Sequence, residues 1–255
     1  MEAYSDFARV YDTFMDETPY EEWCDFLVSL LRKKGIDKGL VLDMGCGTGT
    51  LTGLLEQAGY DMIAIDNSMD MLQIAMEKQR EKNKDSILYL LQDMREFELY
   101  GTVRAVVSIC DSLNYLLERE ELVHTFRLVN NYLDPEGIFL FDFNTVYKYK
   151  EVIGDTVIAE NREECSFIWE NYYDDETHVN EYDLTIFVKE GRLYRKFDET
   201  HYQRGYTLSE IKGALREAGL LFLAAFDGET HEQPHENSER IYVMAKEQGK
   251  RVDKT

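Results

Sequence analysis

The sequence predicts an α/β fold: a seven-stranded sheet with helices on both faces, parallel through its first five strands, an N-terminal helical cover and an antiparallel β insertion after the fifth strand. Three observations predict it. Between Leu40 and Asn144, continuous apolar runs alternate with segments of helical period, the pattern of strands buried on both faces. From about 150 to 204 the pattern changes to apolar–polar alternation, rich in β-branched and aromatic residues. After 205 the alternation of helix and buried strand returns.

Residues 1–38 are expected to form the cover. Tyr20 to Lys34 carries an apolar stripe of Trp23, Phe26, Leu27, Leu30 and Leu31, and Gly35 ends that helix. The strands follow as LVLDM, DMIAID, SILYLLQ, VRAVVSIC and GIFLFDF, with helices near Thr48–Ala58, Ser68–Lys82 and Glu118–Leu133. The stretch DMREFELYG after Gln92 is too short and irregular for a helix. The insertion reads TVIAENRE, SFIWENYY, HVNEYDLTIFVKE and RLYRKFDETHYQ, divided by Asp174-Asp175-Glu176 and Glu190-Gly191. Such a meander has one wet face. Thr207 followed by Glu210 is a capping-box spacing that starts a helix over Thr207–Ala218. LLFLAAFD and SERIYVMAKE are the last strands, and the charged tail 248–255 is expected to fray. The expected organisation is a cover (1–38), one α/β domain (39–149 and 205–247) and an insertion (150–204). The insertion would sit near the carboxyl ends of the strands, where open α/β sheets bind ligands.

Composition narrows the function. The chain has 255 residues, 44% of them hydrophobic, enough to bury a full core. No apolar run approaches the roughly 20 residues of a membrane-spanning helix. The opening MEAYSDFARVYD is acidic and aromatic where a secretory signal would be basic and then apolar, so a cytoplasmic location is expected. Cys24, Cys46, Cys110 and Cys165 form no C-x-x-C pair, which suits a reducing compartment, and the five histidines are too dispersed for a zinc site. No metal is expected. A formal charge of −22 and a pI near 4.6 argue against a nucleic-acid partner, because such a surface repels a polyanion. Solubility is the ordinary reading of that acidity.

The strongest local signal is Val41-Leu42-Asp43-Met44-Gly45-Cys46-Gly47-Thr48-Gly49, a buried strand running into a glycine-rich turn and then a helix. Glycines let a backbone turn sharply and approach a ligand, and the helix start offers free N–H groups. A dinucleotide fingerprint is G-x-G-x-x-G. Here the third glycine comes one residue early, at Gly49, and Thr50 takes the place of the last. Asp43 is awkward beside a pyrophosphate but suits a cationic ligand. Asp66 ends the second strand, where an acid can accept from a ribose diol. Asp93 ends the third, placed to accept from an exocyclic amine with Met94 packed on a base. Together the three strand ends suggest nucleoside recognition without a phosphate cradle.

The set DMGCGTG, AID and LQDM resembles the class I S-adenosylmethionine-dependent methyltransferases over roughly Leu40 to Ala245. The opening YSDFARVYD and the segment CDSLNYL are similar to a bacterial small-molecule subgroup, akin to sugar-amine N-methyltransferases. The resemblance implies a Rossmann-like seven-stranded methyltransferase sheet and S-adenosylmethionine as cofactor. It implies that Gly45, Cys46 and Gly47 line the methionine part, with Asp43 favouring its ammonium. Asp66 would hold the ribose hydroxyls, with Asn67 and Met71 beside the adenosine, and Asp93 and Met94 would bind adenine. Cys110 and Asp111 would border the sulfonium, and Tyr11 would close over the cofactor.

Each position also has an ordinary structural reading. The glycines make a tight turn in any strand-to-helix junction, Asp66 and Asp93 are also good strand-end caps, and Ser68 reads as an N-cap rather than a ligand. Tyr4, Phe7 and Tyr11 are either an aromatic staple or part of a site. Cys46 and Cys110 read as small buried residues rather than nucleophiles.

Acceptor-side candidates are Asn114 and Tyr115 after the fourth strand, and Trp169, Tyr173, His201 and Arg204 in the insertion. Tyr115, His201 and Arg204 are the candidates for catalysis. An extended segment 199–204 puts His201 on the face opposite Tyr202 and Arg204. His201 is either a base tuned near neutrality or a packing residue, and Trp169 is either core or cage. Asp111-Ser112-Leu113-Asn114 has no proline where enzymes that methylate adenine or glutamine carry an Asn/Asp-Pro-Pro-aromatic turn. That argues against a flipped-base or amide acceptor and leaves amines, hydroxyls and carboxylates of small metabolites, of which an amine or hydroxyl is the favoured expectation. The competing readings are a non-catalytic cofactor-binding module, a methyltransferase of macromolecules, an aminopropyl transferase and an NAD-dependent dehydrogenase. The early third glycine argues against the last.

Overall fold

β1 (Gly39–Met44) lies near the centre of a seven-stranded sheet in a computed structural model that describes residues 7–82 and 86–250. The other strands are β2 (Tyr60–Asp66), β3 (Ile87–Leu91), β4 (Val103–Ser108), β5 (Leu133–Asn144), β10 (Leu220–Asp227) and β11 (Arg240–Glu247). Their spatial order is β10-β11-β5-β4-β1-β2-β3. Between β5 and β10 the chain forms a second, four-stranded sheet: β6 (Val157–Asn161), β7 (Cys165–Asp174), β8 (Val179–Glu190) and β9 (Leu193–Arg204). The expected seven strands and the insertion after the fifth are all present.

Strands β1 to β5 pair in parallel, whereas β11 runs antiparallel to both β5 and β10. The sheet is therefore parallel through its first five strands, as the pattern between Leu40 and Asn144 predicts, and mixed as a whole. The physical reason is the connection 228–239, which holds no helix: a parallel return needs a crossover, usually helical. Chain order reverses between β1 and β4, since β1 leads through β2 to β3 on one side and β4 leads to β5 on the other. The carboxyl ends of β1 and β4 thus flank a topological switch point.

Side-chain alternation along the strands feeds two cores. Leu42 and Met44 of β1, Phe139 and Phe141 of β5 and Val243 of β11 face one side. There they meet α5 (Arg119–Tyr132) and α6 (Leu208–Glu217) through Phe126, Val129 and Leu215. Val41, Leu140 and Tyr242 face the other side and meet α2 (Tyr20–Lys33) and α3 (Thr50–Gln57) through Leu27, Leu31 and Leu55. Fully burying a Leu or Phe is worth roughly 1.5–3 kcal/mol, so these two layers hold the helices against both faces of the sheet. Helix starts follow the expected chemistry. Ser68 caps α4 (Met69–Glu81) by accepting from the Met71 amide at 3.3 Å, and Thr207 with Glu210 forms a capping box. Past Gln92 no helix forms before β4, as the irregular pattern there predicts.

A third, smaller core joins the insertion to α1 (Ala8–Phe14). Val10 packs with Cys165, Phe167, Leu184 and Ile186, and the Phe14 ring meets Phe167 edge-on at 4.7 Å. Phe7 and Tyr11 do form an aromatic pair, with centroids 5.6 Å apart; Tyr4 lies outside the described residues. The inner face of the insertion changes character along its length. Cys165, Phe167, Leu184 and Ile186 give way to Asn171, Asn180, Glu199, His201 and Gln203, all buried. No helix among the described residues is long and apolar enough to cross a membrane.

Candidate active site

The glycine turn follows β1 directly. The Gly45 and Cys46 amides both donate to the Ile65 carbonyl, at 2.9 and 3.0 Å, which fastens the turn to the end of β2. Gly45 has φ +78°, and a Cβ there would lie 2.7 Å from the Ser112 side chain. Glycine is needed here for both conformation and space. Gly47, at φ +52°, faces open space instead.

Three carboxylates stand at the ends of β1, β2 and β3. Asp43 is 2% exposed, and its Oδ2 accepts from the Thr52 hydroxyl at 2.6 Å. Burial lifts its carboxyl to about 7, against that hydrogen bond, and Asp66 adds repulsion. Asp66 accepts from the Gly47 amide at 2.8 Å and the Ser68 amide at 2.9 Å; burial still raises its pKa. Asp93 is gripped by Arg95, with Arg95 Nη2 2.6 Å from its Oδ2 and Nε 3.0 Å from its Oδ1. Partial burial alone would raise the Asp93 carboxyl, but the Arg95 hydrogen bonds outweigh it and hold it low. Asp66 and Asp93 thus serve local structure as well as facing the cavity.

After β4 the chain turns through Cys110 (φ +66°) and Asp111 (φ +52°), a left-handed pair that costs strain in residues with a Cβ. Asp142, fully buried on β5, holds this loop by accepting from both amides, at 3.2 and 2.9 Å. Arg240 bridges Asp142 and Asp111 at 2.7 Å each. Burial works against the Arg240 charge, but the two carboxylates outweigh it and push its pKa up.

These ends enclose a cavity of about 270 Å³. Its wall holds Tyr11, Asp43, Gly45, Cys46, Gly47, Asp66, Asn67, Met71, Asp93, Met94, Cys110 and Tyr115, and also Tyr20, Thr48, Thr50, Arg95 and Ser112. Of the residues the sequence proposed for the cofactor, Asp111 alone is absent from this wall. Its carboxylate is turned to Arg240 and to Gln203 Nε2, at 2.7 and 2.8 Å. Burial pushes the Cys110 thiol up to about 12 and raises Cys46 well above its usual value, so neither is an ionised nucleophile.

Residues 41–137 match the family model described as "Methyltransferase domain". The chain is 36% identical to the protein named "Putative methyltransferase YqeM" of Bacillus subtilis (strain 168), covering 95% of this chain and 96% of that protein. The crystal structure of an S-adenosylmethionine-dependent methyltransferase from Clostridium acetobutylicum superposes with a TM-score of 0.88 at 28% identity, over 97% of this chain and 100% of the other. This chain belongs to the S-adenosylmethionine-dependent methyltransferases. The methyltransferase is also 27% identical, over 84% of its length and 90% of the relative's, to dTDP-3-amino-3,4,6-trideoxy-alpha-D-glucopyranose N,N-dimethyltransferase of Streptomyces venezuelae. The cavity suits the cofactor of this family: Gly47 leaves room for it, and the buried Asp43 carboxyl suits a cationic ligand.

On the acceptor side, the methyltransferase brings only one of the proposed residues to the cavity wall, Tyr115. Its hydroxyl lies 3.0 Å from His201 Nδ1 and 2.9 Å from the Tyr182 hydroxyl. His201 is buried behind Tyr115, opposite the exposed Tyr202 as the strand period requires, and does not line the cavity. Asn114 is not a pocket residue: its amide donates to the Asn144 and Arg204 carbonyls at 2.9 and 2.7 Å and accepts from the Asn144 amide at 2.9 Å. With both ends of its side chain so used, it ties β5 to β9. Arg204 pairs with Glu210 at 3.0 Å and stacks over Tyr206, so it and Tyr173 border an outer groove instead. Trp169 packs with the third core, its ring 4.9 Å from Tyr182. The pattern reading passed over Tyr20, Arg95, Asp142, Glu199 and Arg240. Asp142 carried a signal, since a carboxylate inside the apolar run GIFLFDF needs a buried partner.

Proposed function

We propose that the chain methylates a small-molecule acceptor bearing an amine or a hydroxyl, in the cytoplasm. The observation that carries this reading is the cavity wall, where the strand ends meet Tyr11 and Tyr20 of the helical cover and Tyr115. A site roofed by aromatic side chains suits a compact acceptor more than a folded macromolecule. The net charge of −22 adds an electrostatic argument against nucleic acid. The amino-sugar acceptor in the name of the Streptomyces relative supports an amine. Four free cysteines fit a reducing compartment.

When bound, S-adenosylmethionine supplies an electrophilic methyl group on a sulfonium. The chain's own residues bind and orient. Gly45, Cys46 and Gly47 would line the methionine part, and Asp43 would attract its ammonium. Asp66 would hold the ribose hydroxyls, with Asn67 and Met71 beside the adenosine, and Asp93 and Met94 would bind the adenine. Cys110 borders the reactive end, held by the Asp142-fastened loop, and Tyr11 and Tyr20 exclude water. Residues 39–149 and 205–247 act as the cofactor-binding unit, and the insertion 150–204 supports the acceptor side from behind Tyr115.

Calorimetric titration with S-adenosylmethionine, S-adenosylhomocysteine and NAD tests the site, and S-adenosylhomocysteine release tests turnover over a panel of amines, alcohols, tRNA and proteins. The reading expects binding of both sulfur nucleosides, none of NAD, and turnover with small amines or hydroxyls. Turnover with tRNA or protein alone would overturn it.

A further inference from the structure

We propose that Tyr115 is the proton-accepting residue of the methyl-transfer step, with His201 and Glu199 as positioning residues that draw its hydroxyl proton away. The inference rests on the methyl-transfer reading and adds to it a role for the buried polar end of the insertion. Tyr115 joins two structures, the cavity wall and a hydrogen-bonded set behind it. His201 Nδ1 is 3.0 Å from the Tyr115 hydroxyl, and its Nε2 is 3.3 Å from Glu199 Oε2. The relay requires the ring hydrogen on Nε2, at ion-pair distance from the Glu199 carboxylate, which leaves Nδ1 to accept from the Tyr115 hydroxyl. The Tyr182 hydroxyl, 2.9 Å away, then donates to Tyr115 Oη and supports negative charge there.

The set is held rigidly. The Tyr182 ring lies parallel to the imidazole, 4.9 Å away with 6° between planes. Glu199 Oε1 accepts the Phe7 amide at 2.9 Å. His201 and Glu199 are 2% and 3% exposed, so an imidazole and a carboxylate there depend on polar partners within the protein, each other among them. Among the described residues, the titratable groups facing His201 are Tyr115 from the turn after β4, Tyr182 from β8 and Glu199 from β9. Hydroxyl, imidazole and carboxylate in series are the parts that activate a hydroxyl in hydrolases.

As the acceptor's lone pair bonds to the methyl carbon and the carbon–sulfur pair returns to sulfur, the acceptor's N–H or O–H proton passes to Tyr115 Oη. The Tyr115 proton moves to His201 Nδ1, and the imidazolium rests against Glu199. The positive charge lost at sulfur reappears on His201 and leaves as a proton to water after product release.

The test needs no acceptor. Phenylmethylsulfonyl fluoride sulfonylates a tyrosine oxygen, with fluoride leaving and the phenol proton passing to a base. Peptide mass spectrometry then follows Tyr115, with Tyr20 of the same wall as internal control. We expect Tyr115 to react about tenfold faster than Tyr20. His201→Gln should slow Tyr115 by about tenfold or more and leave Tyr20 unchanged. Glu199→Gln should also slow Tyr115 and leave Tyr20 unchanged, because the imidazolium formed as the phenol proton leaves loses its carboxylate; this milder variant decides if His201→Gln fails to fold. Equal labelling of Tyr115 and Tyr20, or an unchanged Tyr115 rate in Glu199→Gln, would overturn the proposal. Calorimetry with S-adenosylmethionine is run alongside. Absent cofactor binding would sink methyl transfer itself, whereas the labelling reports on the relay independently.

Discussion

Arg240 holds Asp142 at 2.7 Å, and through it two residues of left-handed backbone at the mouth of the cavity. The side chain that starts β11 thereby shapes a loop that follows β4, across the intervening β5.

Arg240→Met leaves the fully buried Asp142 without its cation. Breaking a buried pair from one side costs about 3–5 kcal/mol, and Asp142 keeps two amide donors, so the lower end is expected. Denaturant unfolding should show that loss, and calorimetry should show weaker S-adenosylmethionine binding as the Cys110–Asp111 loop relaxes. Wild-type affinity in a folded variant would separate this network from the site.

Asp66→Ala and Asp93→Ala should each weaken cofactor binding roughly tenfold or more, the effect of losing a charge-assisted hydrogen bond. Arg95→Met distinguishes the roles of Asp93. If Arg95 must yield to adenine, its removal strengthens binding or leaves it unchanged, whereas a purely structural pair would lose affinity with either variant.

Asp43 sets a pH dependence of defined sign. Its carboxyl titrates near 7 when folded against about 3.9 unfolded, so the folded state binds more protons between those values. Its contribution to stability is therefore greatest at and below pH ~4, falls as pH rises through ~7, and is level above that. The stability of Asp43→Asn minus wild type should grow by on the order of 1–4 kcal/mol from pH 4.5 to 8.5. Cofactor affinity of the wild type should rise over the same range, because the ionised carboxylate attracts the ammonium. A pH-independent difference in thermal unfolding would contradict the assignment.

The glycines separate folding from binding. Gly45→Ala combines left-handed backbone strain of about 1–2 kcal/mol with a clash at Ser112, so it should destabilise the fold most. Gly47→Ala adds only the strain, and its methyl projects into open space beside the cavity. It should cost the larger share of cofactor affinity for the smaller loss of stability. Chemical denaturation and calorimetry on both variants check the crossing order.

Much of the architecture was legible in local pattern. Seven strands, the caps at Ser68 and Thr207, and the meander each follow from period or turn chemistry within a dozen residues. The strand ends Asp43, Asp66 and Asp93 were legible too, because a strand's carboxyl end is where an open sheet binds, whatever lies beyond it. Partnerships across the chain were not. Asn114 is bonded to β5 and β9, Arg240 to Asp142 and Asp111, and Tyr115 to a histidine 86 positions away. The antiparallel course of β11 likewise depended on how a helix-free connection returns to the sheet. By itself the sequence determined which segments form strands and helices and where the glycine turn falls, since backbone sterics and hydrophobic period act over neighbouring residues. The tertiary structure alone decided which polar groups pair, which face the cavity and which are spent on packing. A buried hydrogen bond is set by distances of tenths of an ångström between elements, and those exist only once the layers have closed.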